Sequence, residues 1–227
     1  MKSLSDKKMI QRRRKMRHFI EAADCIISKE GKDAVTIRAV SDLACYNSAT
    51  LYNYFENMEH LLYYTYLRHI KMIERRLSCV LKNGDSQKRQ VRQIWSAYCD
   101  MAYGYPEIIY TLLFSPYNVA FEDILEDYLS IFSDEFDAGE SERILQMFKG
   151  SLFNVQHQSL TGFGETQGLS MMEIEELKKI VITFFQGMLL RQTGMAKNSG
   201  SEEYMRQARC FIERIMNAYT SKIDHAS

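Results

Sequence analysis

Ser48, Thr50, Tyr52 and Asn53 stand within six positions of one another in a chain of 227 residues. They offer two aliphatic hydroxyls, a phenol and a carboxamide, which form hydrogen bonds without carrying charge. Shown to solvent from one short helix, this set suits contacts with phosphate oxygens and base edges. Catalytic signatures are missing from the sequence. No glycine-rich phosphate loop follows a strand, and neither GxSxG nor HExxH occurs. His18, His60, His69, His157 and His225 are scattered; Glu56 and His60 are four apart but straddle a helix start. His157, on an apolar helix, reads first as a satisfied core or rim histidine. Cys25, Cys45, Cys79, Cys99 and Cys210 have no CxxC pair and no zinc spacing, so they read as small hydrophobes of a reducing compartment. No catalytic residue, metal site or cofactor is expected.

Two short helices must position the polar set. Thr36 is a natural N-cap for a helix over 37–44, with Val35 and Val40 spaced as a hydrophobic staple around it. Cys45 and Tyr46 form the turn, and Asn47 caps a second helix over 48–54. Ile37, Val40, Leu43, Leu51 and Phe55 supply the inward face, which leaves Arg38, Ser48, Thr50, Tyr52 and Asn53 outside. A preceding helix over 11–29 buries Met16, Phe19, Ile20, Ala23, Ile26 and Ile27. Three helices in this order form a helix-turn-helix module of homeodomain-like layout.

Charge supports the same end of the chain. Formal net charge is zero, yet the first 20 residues carry eight cationic side chains against Asp6 alone. That balance of +7 leaves −7 on the other 207 residues. A basic arm over 1–10, continuing into Arg12, Arg13 and Arg14, suits contact with a polyanion. A solvated tail is the competing reading.

The remainder reads as helical. Two prolines and eleven glycines compare with roughly eleven and sixteen at average usage. A fourth helix is expected over 57–81, then a break at 83–86. Further helices follow around Val91–Ala102, Ile108–Phe114 and Phe121–Phe132, and over 144–159, with loops at 134–140 and 161–170. The last two helices, near 172–191 and 202–221, flank a break at 194–200. No run of about eighteen apolar residues exists, and the first residues lack the apolar core of a secretory signal. A cytoplasmic protein without a membrane partner is expected.

Over 36–62 the chain resembles the DNA-binding domain of the tetracycline-repressor (TetR) family of bacterial regulators. The resemblance rests on Thr36, Val40, Leu43-Ala44, Thr50-Leu51-Tyr52, Tyr54-Phe55, Glu59 and Leu61-Leu62. Three positions depart from the family's pattern: Cys45 replaces a turn glycine, Tyr46 a valine, and Met58 a lysine near the DNA backbone. The first departure implies strain in the turn, since glycine tolerates a left-handed backbone that cysteine does not.

The resemblance implies an all-α fold, with a helix-turn-helix domain over 11–57 and a larger helical effector-binding and dimerisation domain over 58–227. It implies a homodimer on a palindromic operator of double-stranded DNA, contacted by Arg12, Arg13, Arg14, Thr36, Arg38, Asn47, Ser48, Thr50, Tyr52 and Asn53. It also implies a pocket for a small-molecule effector. Tyr98, Met101, Tyr105, Tyr110, Phe114, Phe148, Phe153 and His157 are the candidates, since aromatics with polar tips and thioethers make adaptable apolar sites. Leu177, Val181, Phe184 and Met188 follow a 3,4 spacing, and Phe211 and Ile215 mark the last helix; together they form the expected dimer face. The functional expectation is a ligand-responsive regulator, foremost a repressor. Two alternatives stay open: a helical-bundle ligand-binding protein or enzyme with a vestigial DNA-binding end, and a DNA-binding regulator without a small-molecule effector.

Overall fold

Met16, Phe19, Ile20, Ala23 and Ile26 recur at three- and four-residue spacing, and all are buried on one side of α1 (Leu4–Glu30). The computed structural model describes residues 4–81, 86–193 and 201–220, and every regular element among them is helical. The expected breaks at 83–86 and 194–200 lie almost wholly outside the described residues. Helix α1 starts at Leu4, so residues 4–10, expected as an arm without regular structure, are helical. Asp6 sits in the first turn, and no glycine or proline interrupts residues 4–10.

The chain divides into two units. One holds the residues up to Arg68 together with Val119–Gln146; the other holds His69–Asn118 and the residues from Met147 onward. In the first unit α2 (Ile37–Leu43), α3 (Ser48–Tyr52) and α4 (Met58–Tyr66) gather around α1, with Val40, Leu51, Phe55 and Leu61 fully or almost fully buried. Leu43, expected to point inward, is 49% exposed. A three-residue 3-10 turn, Leu67–His69, ends α4 and interrupts the single helix expected over 57–81. The chain leaves the first unit within this turn.

Helix α5 (Ile70–Leu81) opens the second unit, followed by α6 (Gln87–Gly104) and α7 (Pro106–Phe114). Pro106 begins α7, where its missing N–H costs nothing. The chain then returns to the first unit through α8 (Phe121–Ile131) and most of α9 (Ala138–Met147). Helix α8 packs on α1. An Asp137/Glu140 capping box starts α9, with Glu140 N–H donating to Asp137 Oδ1 at 2.6 Å and Asp137 N–H to Glu140 Oε2 at 3.4 Å. The box makes residues 138–140 helical where a loop is expected.

In the second unit α10 (Asn154–Thr166) and α12 (Ser201–Thr220) pack with α6, and α11 (Met171–Thr193) packs with α7, α10 and α12. Trp95 and Phe185 meet edge to face at 5.5 Å in its interior. The continuous helix expected over 144–159 is split by a turn containing Gly150 at φ 76°. Conversely, α10 runs through Gly162 and Gly164, read as loop, and ends before Gly168, which has φ 67°. A Cβ on Gly164 would lie 2.5 Å from Ile174 Cγ1, so this glycine allows α10 and α11 to approach closely.

Candidate nucleic-acid interface

Both short helices of the motif are capped as their sequences require. Thr36 Oγ1 accepts from Ala39 N–H at 3.1 Å. Asn47 Oδ1 accepts from the Thr50 N–H at 2.7 Å and from the Thr50 hydroxyl at 2.8 Å. Three of the candidate contact residues, Thr36, Asn47 and Thr50, therefore also hold the helix starts. Leu51 and Phe55 anchor α3 from below, while Tyr52 and Asn53 are exposed and Ser48 is half-buried. Helix α3 ends at Tyr52 rather than at 54. Asn53 and Tyr54 N–H groups turn to the Thr50 and Leu51 carbonyls at 3.2 and 3.0 Å, a tightened last turn. Arg38 on α2 is 91% exposed, with only a long contact to Asp42 at 3.8 Å.

The turn between α2 and α3 carries the strain that the sequence implies. Cys45 adopts φ 59°, the one positive φ among described non-glycine residues. Tyr46 N–H reaches back to the Ser41 carbonyl at 2.9 Å, and Cys45 N–H bonds the Asp42 carbonyl at 3.2 Å. The first bond spans six residues, the closure of a helix that ends in a left-handed residue. For an L-residue that conformation costs about 1–2 kcal/mol. Cys45→Gly should therefore stabilise the protein by about 0.5–1 kcal/mol, the remainder being offset by glycine's greater chain entropy when unfolded. Urea titration checks this; an unchanged or lowered midpoint would refute strain at Cys45.

Two arginines of helix α1 are held by carboxylates. Arg12 binds both oxygens of Asp127 on α8 at 3.0 Å, and Tyr64 donates to the same carboxylate at 3.1 Å. Burial first, then the Asp127 charge, holds the Tyr64 phenol above its ordinary pKa and so keeps it a donor. Arg17 bonds Asp134, Glu21 and Glu135 and stacks over Phe132 at 4.9 Å. Arg12, expected as a phosphate contact, is thus bound to α8. Arg13 is half-buried, its Nε enclosed.

Gln11, Arg14, Lys15 and His18 share the i, i+3, i+4, i+7 spacing and, with Tyr46, line a groove of about 340 Å³. His18 Nδ1 lies 3.2 Å from the Tyr46 hydroxyl. The two rings stack at 5.9 Å, and Phe19 supports Tyr46 at 5.2 Å. Gln11, Lys15, His18 and Tyr46 are absent from the expected contact set, although i+4 spacing links Gln11 to Lys15 and Arg14 to His18. Tyr46 joins them only through tertiary packing.

A second capping arrangement starts α4. Asn57 Oδ1 accepts from His60 N–H at 2.9 Å, and His60 Nδ1 accepts in return from Glu56 N–H at 3.2 Å. That bond requires an unprotonated Nδ1, and burial lowers the His60 pKa against the opposing pull of Glu56. His60 is thus a capping residue beside the recognition helix.

The candidate pocket residues fall into two groups in the second unit. Tyr98, Met101 and Phe148 are fully packed inside. Gln156, also buried, has its amide satisfied when nitrogen faces the Leu152 and Phe153 carbonyls at 3.1 Å; its oxygen then accepts from Tyr98 Oη at 3.1 Å. Tyr110, Phe114, Phe153 and His157 form a row with successive ring separations of 5.6, 5.2 and 5.9 Å. Partial burial and then Lys178 lower the His157 pKa. Tyr105 lies apart, exposed and against His69 at 5.3 Å.

Of the candidate dimer residues, Leu177 and Val181 have no exposed surface and belong to the protomer's own interior. Their strip continues through Phe185 and Leu189, one residue beyond the expected Phe184 and Met188. Phe184 and Met188 are half-buried, Ile180 and Phe211 are exposed, and the Phe184 and Phe211 rings lie 5.7 Å apart. Of the candidate dimer residues, those left at least partly uncovered are therefore Phe184, Met188, Phe211 and Ile215, with Ile180 beside them on α11.

Residues 19–64 match the family model for bacterial regulatory proteins of the tetR family. No curated protein sequence matches the chain. Among solved structures, Thermus thermophilus FadR, a TetR-family transcriptional repressor in complex with lauroyl-CoA, is similar with a TM-score of 0.56 at 12% identity. The similarity covers 87% of this chain and 92% of that one. RolR in complex with resorcinol has a TM-score of 0.52 at 12% identity, over 92% of this chain and 95% of its own. At such identities the likeness is one of fold. Among the described residues no helix is long and apolar enough to cross a membrane.

Proposed function

From the match of residues 19–64 to the tetR family model and the likeness of the fold to TetR-family regulators, we propose that this chain is a homodimeric, cytoplasmic, ligand-responsive repressor that leaves a palindromic operator when a small effector binds. The family's DNA-binding character places it among transcription regulators and outside the enzymes. The observation that carries the reading is the outer side of α2 and α3. A capped, core-anchored helix shows Tyr52 and Asn53 to solvent, and Arg38 on α2 keeps an unburied guanidinium. Placed in a major groove, Asn53 and Ser48 reach base edges, and Tyr52 and Arg38 meet the backbone.

The test is binding to the DNA upstream of the chain's own gene, followed by two substitutions. Tyr52→Phe removes a hydroxyl and should weaken specific and mixed-sequence duplexes alike, by several-fold. Asn53→Ala should cost about 1–3 kcal/mol on the specific site alone. If neither changes affinity in a gel shift, α3 is not the reading element.

The effector proposed is apolar or amphipathic. Its supports are the row Tyr110, Phe114, Phe153 and His157 and the neighbouring polar pair Tyr98 and Gln156. FadR with lauroyl-CoA and RolR with resorcinol indicate that the fold accommodates organic ligands of different size. An effector releases DNA by binding one arrangement of the dimer better than the other, with a coupling of about 1–3 kcal/mol in typical cases. The dimer would form through the uncovered apolar strip of α11 and α12 and present two copies of α3 to the half-sites.

A further inference from the structure

We propose that the groove between α1 and the helix-turn-helix turn is a seat for one strand of the DNA backbone, with Arg14 and Lys15 neutralising phosphates and Tyr46 and Gln11 donating to their oxygens. The inference rests on the DNA-binding reading above and adds to it a site away from the outer face of α3.

The groove's lining contains two cations, an imidazole, a phenol and an amide, and no carboxylate. Such a lining selects an anion. The same helix carries Arg12 and Arg17, but their guanidinium groups are bonded to Asp127, Asp134 and Glu135 and, on α1 itself, to Glu21. Helical geometry sets Arg12 about 200° from Arg14 around α1, whereas 11, 14, 15 and 18 share one face; Arg17, on the flank of that face, is held by Asp134 and Glu135.

Tyr46 places the seat. It directly precedes Asn47, the cap of α3, so an anion bound against it lies at the start of the recognition helix. Its ring is clamped by His18 and Phe19, and its own N–H is closed onto Ser41. The hydroxyl lies 3.2 Å from His18 Nδ1. With the proton on Nδ1, histidine donates to the phenol oxygen, and the phenolic proton is directed onward to a phosphate. The left-handed Cys45 sets the exit angle of the turn that brings Tyr46 against α1.

DNA phosphodiester and free inorganic phosphate share this chemistry, and the experiment separates them. A fluorescein-labelled 30-base-pair duplex of mixed sequence is titrated with the full-length protein by anisotropy at several salt concentrations. Each phosphate neutralised contributes about 0.9 to the slope of log affinity against log salt. Arg14→Gln with Lys15→Gln keeps helix propensity, and should lower the slope by about 1.8 while weakening binding at least tenfold at low salt. Tyr46→Phe removes no charge; it should weaken binding a few-fold with an unchanged slope. The charge-matched control Arg76→Gln with Lys179→Gln, on α5 and α11, should behave as wild type. Calorimetric titration with inorganic phosphate should show no saturable binding.

An unchanged slope in the folded Arg14/Lys15 variant overturns the seat but leaves the DNA-binding reading intact. Should that variant not fold, an unchanged affinity for Tyr46→Phe overturns it instead. Saturable phosphate binding lost in the variant, with the DNA slope unaltered, reassigns the groove to the free anion. A wild-type protein that binds no duplex defeats both readings together.

Discussion

Phe184→Glu combined with Phe211→Glu should turn the dimer into a folded monomer and reduce affinity for a two-fold DNA site by about 10²–10⁴-fold, the usual gain from linking two binding modules. The rings lie 5.7 Å apart on α11 and α12, with Phe184 half-buried and Phe211 exposed. Two carboxylates at the centre of a symmetric contact become four across the pair, all removed from water. Charges at Leu177 or Val181 would not test the same thing, because both side chains are fully buried within one protomer and a charge there would unfold it. Sedimentation velocity and anisotropy on a palindromic duplex give the two readouts. A folded, dimeric double variant would remove this surface from the assembly, and the proposed route from effector to DNA with it.

Phe55→Ala is expected to destabilise the first unit by about 3–5 kcal/mol, the range for truncating a buried aromatic. Phe55 is almost completely buried, and its ring contacts Phe19 at 6.3 Å, Tyr64 at 5.6 Å and His60 at 5.9 Å. It follows α3 directly, joining the recognition helix to α1 and α4. Typical domain stability is about 5–15 kcal/mol, so the loss should leave the DNA-binding helices partly unfolded at 37 °C. Urea titration by circular dichroism and the loss of sequence-specific binding measure it. A midpoint equal to wild type would show that the cavity collapses at no cost and that Phe55 is not the anchor.

The two expectations differ in how much of them was legible in the residues. Around Phe55 the signals are local. Thr36, Asn47 and Asn57 cap the helices they precede in the sequence, and Val40, Leu51 and Phe55 are buried as their spacing requires. Cys45 in a glycine position has the left-handed backbone that the substitution implies. Short-range hydrogen bonds and steric limits decide such features, so neighbouring residues suffice to read them.

Along α11 periodicity was ambiguous, because two apolar strips run side by side. The spacing that includes Leu177 and Val181 fits a symmetry seam as well as a protomer core. Burial shows that Leu177 and Val181 go inward with Phe185 and Leu189. Glycines misled for a related reason: in α10 Gly164 is a packing contact with Ile174 rather than a break. The capping pairs Asp137/Glu140 and Ser170/Glu173 were present in the residues, and they mark where α9 and α11 begin.

The sequence alone determined the all-helical class, the capped helix-turn-helix and its outward polar set, since these depend on composition, periodicity and residues within four positions of one another. Only the tertiary structure decided which arginines of α1 remain for a partner. Arg12 and Arg17 meet carboxylates more than a hundred positions away, on α8 and in the turn after it, whereas Arg14 and Lys15 line a groove with Tyr46. Basic residues lie all around the start of α1 in sequence, and only the placement of distant carboxylates shows which of their guanidinium groups are already bonded within the protein.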